Sequence, residues 1–221
     1  MGNILQSCKH WLAMLVTKIL SNDRILKLLL EKTDIDINRK FRGDDYTLLL
    51  AAAKIDNEKV LKIILEKEEV LVNQANEHGD TPLIYAVYEG HVEIVKMLLE
   101  KEDIDVNHAS HIGSTALLLA AAGGFVKIVE MLIKREDVEL NTQDPHGETP
   151  LLVATKMGRD NVVKMLLKKE NIEVNQANWA GETPLSVAAD ERNGKIVNLL
   201  LGTEAIRVVG WNGWRPNTDA A

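Results

Sequence analysis

The stretch TPLIYAVYEGHVEIVKMLLEKEDIDVN, residues 81–107, contains the start and stop signals of two short helices followed by an exit segment. Thr81 is a good helix N-cap, and Pro82 suits the first helical position, where its missing N–H would be unpaired in any case. The first helix therefore starts here and carries Leu83 and Ala86 on one face. Its stop is Gly90, which takes the left-handed conformation that a helix end often needs. The second helix carries Ile94, Val95, Leu98 and Leu99, an apolar stripe that requires a neighbour to cover it. A pair of this size cannot bury its stripe alone, so copies of it must stack.

The copies are present. Thr47, Thr81, Thr115, Thr149 and Thr183 are separated by 34 residues each time, and so are Leu49, Leu83, Leu117, Leu151 and Leu185. Ala52, Ala86, Ala120, Ala154 and Ala188 keep the same step. It also links Val60, Ile94, Ile128, Val162 and Ile196, and then Ile64, Leu98, Leu132, Leu166 and Leu200. Self-similarity at a fixed period is the signature of a repeat array, here of five units.

Thr-Pro-Leu, Gly90-His91, IVKMLL and Asp105 to Asn107 together resemble the ankyrin repeat. The resemblance covers residues 45 to about 201 in full copies. A degenerate copy, LSNDRILKLLLEKTDIDIN, precedes them and ends at Asn38. It implies an all-α solenoid of stacked helix-turn-helix units joined by β-hairpin fingers, with about five full repeats and a degenerate N-terminal cap. The departures from the family pattern are specific. The histidine of the family's TPLH is replaced by Leu50, Ile84, Leu118, Leu152 and Ser186, which exchanges its hydrogen bonds for apolar packing. The period is 34 where the family shows about 33, and the extra residue falls in KEDIDVN (101–107), where a longer loop turns the chain without a left-handed glycine. Ser21, Asp56 and Arg192 stand at the inter-helix glycine position in the outer copies. Each precedes an Asn, which tolerates left-handed geometry better than most residues, so those turns are expected to survive slightly shifted.

These features divide the chain into an N-terminal segment (1–11), a capping repeat (12–38) and repeats at 39–73, 74–107, 108–141, 142–175 and 176–206. A C-terminal hairpin cap and tail (207–221) follows, built on Asn212-Gly213 between Trp211 and Trp214; a docking tag is the other reading of this segment. Trp11 is a candidate cover for the apolar first helix.

Composition excludes several functions. The net charge of −7 argues against nucleic acid, which requires a concentrated positive footprint. A single cysteine, Cys8, forbids an intramolecular disulfide. WLAMLV (11–16) is too short to span a membrane, so the expectation is a cytoplasmic, intracellular chain, whether of its own cell or a host's. Gly2 and Cys8 resemble the start of an acylated chain, but Gln6 stands where myristoylation prefers Ser or Thr, so lipidation is the lesser expectation. A Gly-rich phosphate loop, Gly-x-Ser-x-Gly and HExxH are all absent. No catalytic residue, metal ligand or cofactor is assigned. His108 and His111 lie close in sequence, but no Cys or carboxylate set completes a metal site with them.

The resemblance implies that fingertips and the open side of the first helices line a concave surface used to bind proteins. Carried onto this sequence, that surface comprises Glu77, His78 and Asp80; Tyr88 and Glu89; His111, Ile112 and Ser114; Pro145, His146 and Glu148; Lys156 and Met157; Trp179 and Glu182; and Asp190 and Glu191. Ala122 and Gly123 leave a dip between them. Trp179 reads either as a partner anchor or as packing sideways on Pro145 or a neighbouring finger. Arg39, Lys40 and Arg42 make the first finger basic, the later fingers are acidic, and Lys96, Lys101, Lys127, Lys134, Lys164 and Lys168 lie on the far side. A protein partner with a basic patch follows. The Glu-Lys runs read as solvated helix ends. The chain is thus expected to be an adaptor, scaffold or inhibitor, monomeric or weakly dimeric. An enzyme using the groove as a pocket, or a structural spacer, is the alternative.

Overall fold

The computed structural model of the protein describes residues 36–40 and 46–203. The expectations for Gly2, Cys8, Trp11, Ser21, Arg42 and the Trp211/Trp214 hairpin lie outside these residues. Each repeat within them supplies two helices: α1 (Leu48–Lys54) and α2 (Glu58–Leu65), α3 (Pro82–Glu89) and α4 (Val92–Leu99), α5 (Ala116–Gly123) and α6 (Val126–Ile133), α7 (Pro150–Lys156) and α8 (Asp160–Leu166), α9 (Pro184–Asp190) and α10 (Gly194–Leu201). The first helices stack in the order α1, α3, α5, α7, α9, and the second helices stack as α2, α4, α6, α8, α10. Seven or eight residues are too few for a stable isolated helix, so the stack is what makes each one helical.

The 34-residue ladder is the core. All five of its alanines and ten of its second-helix residues are at most 1 % exposed, and only the terminal Leu185 among the leucines following the threonines is partly open. Burying one such Leu or Ile side chain contributes about 1.5–3 kcal/mol. Every repeat threonine caps its first helix: the hydroxyl accepts from the amides of Leu50, Ile84, Leu118, Leu152 and Ser186 at 3.2–3.3 Å. Leu50, Ile84, Leu118 and Leu152 are buried, as their replacement of a polar histidine requires. Ser186 instead closes a capping box, its hydroxyl accepting from the Thr183 amide at 2.9 Å.

Asp56 and Arg192 themselves take the left-handed conformation, with φ of 55° and 54°. The expected shift does not occur. Asn57 and Asn193 are instead the N-caps of α2 and α10, accepting from Val60 and Ile196. Where Gly90, Gly124 and Gly158 hold the turn, the next residue caps nothing with its side chain, so the strained outer turns are compensated by a cap.

Two columns of polar ties join repeats on the far side. Asn38, Asn73, Asn107 and Asn141 each donate to a carbonyl and accept an amide of the next exit loop, at 2.7–2.9 Å. Lys101, Arg135 and Lys169 each reach back to a last-turn carbonyl of the preceding second helix, Leu65, Leu99 and Ile133. These cations are therefore inter-repeat clamps on helix C-termini rather than solvated charge. Among the described residues of the exit loops none has a positive φ.

Candidate functional site

The four fingers among the described residues are tight hairpins closed by their own backbone. Asn76, Ser110, Asp144 and Asn178 donate their amides to Asp80, Ser114, Glu148 and Glu182, and accept from Gly79, Gly113, Gly147 and Gly181. The side-chain oxygen of Asn76, Asp144 and Asn178 takes two further amides, as an Asx turn does. The four finger glycines have φ of 74–80°.

Those glycines also receive the next fingertip. A Cβ on Gly79 would lie 2.7 Å from the His111 ring, one on Gly113 2.3 Å from Pro145 Cδ, and one on Gly147 2.9 Å from the Trp179 indole. Among the described residues nothing lies within 4 Å of such a Cβ on Gly181. Trp179 is therefore both neighbour-packed and exposed. Its amide donates to the His146 carbonyl at 3.0 Å and its Nε1–H to the Pro145 carbonyl at 3.1 Å, while 71 % of its surface stays open.

The finger face is completed by the ends of the first helices. Lys156 Nζ donates to Glu148 Oε1 at 2.7 Å, and that bond, with Glu182 and Asp144 adding, holds the ammonium above the ordinary lysine range. In the first two repeats, the Tyr46 and Tyr85 hydroxyls share a short hydrogen bond, with ring centroids 5.6 Å apart. Lys54 Nζ sits 4.9 and 5.4 Å from the two ring centroids and donates to the Tyr46 hydroxyl. Burial, then the bond to Tyr46, pushes the Tyr85 phenol well above its usual range, so it stays protonated. Of the candidate residues, Asp80, Ser114 and Glu148 are half-buried and the rest are exposed. The expected dip is partly filled, because the Phe125 ring lies where a Cβ on Gly123 would point. His108 donates to the Gly79 carbonyl and His111 lies on the same glycine, so both serve the finger stack. Among the described residues no His, Cys, Asp and Glu cluster is arranged to hold a metal ion.

A family model described as ankyrin repeats in three copies matches residues 13–110 and 103–178. The chain belongs to the ankyrin-repeat family. No curated protein matches it. Ankyrin repeats are in general protein-interaction modules, typically without catalysis. Among the described residues no helix is long and apolar enough to cross a membrane. Sequence reasoning missed Tyr46, Lys54, Ile55 and Tyr85. Lys54 and Ile55 are the 34-residue counterparts of Tyr88 and Glu89, so the period itself, stepped back one copy, would have found them.

Proposed function

We propose that this ankyrin array is a protein-binding module, an adaptor, scaffold or inhibitor, that engages its partner through the concave face of fingertips and first helices. One observation carries the reading. Of the exposed large apolar side chains among the described residues, Ile55, Tyr88, Ile112, Met157 and Trp179 all belong to fingertips or first-helix ends. Leu71 and Leu201 are the two elsewhere. Exposed apolar surface gathered on one face marks an interaction site. Carboxylates of Glu77, Asp80, Glu89, Glu182, Asp190 and Glu191 lie along the same face and favour a partner with a basic patch over nucleic acid. An intracellular location and a monomeric or weakly dimeric state accord with this role.

The test is capture from a native-cell lysate with wild type, Tyr88→Ala/Trp179→Ala, and Leu71→Ser as a far-side control, read by quantitative mass spectrometry. A protein held by wild type and the control but lost by the double variant supports the reading. Identical captured sets from all three overturn it.

A further inference from the structure

We infer that the open face of the Trp179 indole is a platform for an arginine side chain of the protein partner. The carboxylates of Asp144, Glu148 and Glu182 supply its counter-charge. The inference rests on the finger face being the partner-binding surface and names the chemistry recognised there.

Three observations lead to it. The indole is fixed before any partner arrives: its backbone N–H and its Nε1–H are both bonded to the 142–148 finger, and one ring face lies on Gly147. Both polar groups are satisfied within the protein, so what remains exposed is apolar ring, already ordered and carrying little further entropy cost on binding. Next, no described finger covers it. Gly79, Gly113 and Gly147 each receive the following fingertip, whereas among the described residues nothing seats on Gly181, the glycine of the Trp179 finger. Finally, the surrounding charge is unbalanced. Lys156 is bonded to Glu148 and is also acted on by Glu182 and Asp144, so one ammonium stands among three carboxylates.

The two fingers that hold the ring carry these carboxylates, Asp144 and Glu148 on one and Glu182 on the other, which favours a cation over an apolar side chain that would desolvate them without pairing them. Between the two cations, guanidinium is planar, weakly hydrated and stacks on an aromatic face while its edges reach carboxylates. An ammonium is a strongly hydrated point charge that does this less well. Nucleic-acid bases could also stack, but their phosphates would meet net negative charge.

The experiment uses the full chain with indole-15N tryptophan and three probes: acetyl-Gly-Arg-Gly-Arg-Gly-amide and its Lys and Glu counterparts. The Trp179 indole signal is assigned by its loss in Trp179→Phe. Expected is a saturable shift of that signal with the Arg peptide, binding about three-fold weaker for the Lys peptide, and none for the Glu peptide. Trp179→Leu, its fold checked by circular dichroism, should make the Arg and Lys peptides equivalent. Glu182→Gln should weaken both. Arg and Lys peptides that bind alike to wild type, with the Trp179 signal unmoved, would overturn the platform and leave diffuse electrostatics. Partner capture separates this failure from that of the underlying reading. Capture lost in Tyr88→Ala/Ile112→Ala but intact in Trp179→Leu removes the platform and keeps the docking face. Capture unaffected by either removes the docking face.

Discussion

Alanine at Gly147 and alanine at Gly181 impose the same backbone strain on two fingers, only one of which carries a neighbour among the described residues. Both glycines are left-handed, with φ of 79° and 80°. A left-handed alanine costs about 1–2 kcal/mol, offset by about 0.4–1 kcal/mol from the stiffer unfolded chain, so Gly181→Ala should destabilise by about 1 kcal/mol. At Gly147 the new methyl would also lie 2.8 Å from the Trp179 backbone nitrogen and 2.9 and 3.0 Å from its ring carbons. Backbone is the nearest of these atoms, so no rotamer change relieves the contact and the 176–182 finger must withdraw. That movement stretches the bonds to the His146 and Pro145 carbonyls, and overpacking of this kind adds about 1–3 kcal/mol. Gly147→Ala should therefore destabilise by about 3 kcal/mol. The gap of about 2 kcal/mol corresponds to about 4–8 °C in Tm for a chain of this size. Urea and thermal unfolding followed by far-ultraviolet circular dichroism measure it, and the indole-15N signal of Trp179 should move in Gly147→Ala alone. Equal midpoints for the two variants would refute the nesting of each fingertip on the preceding glycine.

Three other perturbations have defined outcomes. In the last finger Asn178 Nδ2 donates to Glu182 at 2.7 Å, whereas the buried Asn76 Nδ2 has no partner and the shorter Asp80 stands at the matching position. Asp80→Glu should supply the missing acceptor and stabilise by about 1 kcal/mol; an unchanged urea midpoint would count against it. Asn107→Ala removes the bonds to the Asp137 carbonyl and the Glu139 amide, and should cost about 1–3 kcal/mol while selectively accelerating hydrogen exchange at Glu139. Unaltered Glu139 exchange would show that the ladder is not what protects it. The Tyr85 phenol is raised in the fold, so the stability it contributes is present below its unfolded value of 10.0 and is lost as pH rises from there toward the raised folded value. Denaturation from about pH 9 to about pH 11.5 should show a decline that Tyr85→Phe flattens; parallel curves would dismiss the linkage.

The elements legible in the sequence are those dictated by something every copy must do. Each first helix needs its orphan amides capped, so a Thr stands there every time. Each stripe needs a lid, so Leu, Ala and Ile return at the same step. What escaped was set by contacts between copies, where a residue's role depends on a neighbour about 34 positions away. Lys101 looks like one charge in a Glu-Lys run until its ammonium is seen on the Leu65 carbonyl. Asp56 looks like a poor turn residue until its left-handed strain is set beside the cap from Asn57.

Pro145 shows how far such reading can go. The amides of His111 and Trp179 donate to the carbonyls of His78 and His146 at 2.9 and 3.0 Å, and the register puts Pro145 opposite the Ile112 carbonyl. Proline has no N–H to give. The 108–114 and 142–148 fingers are consequently joined by the apolar seat of Pro145 on Gly113, while the pairs on either side of them are joined by hydrogen bonds. The missing donor is visible in the sequence, but its consequence is not, because only the structure shows that this amide is the one that links finger to finger. The seam is also where Ile112 is 75 % exposed. The finger face therefore varies along its length not only in side chains but in how firmly its successive fingers are tied, and among the described fingers the most firmly tied pair carries Trp179.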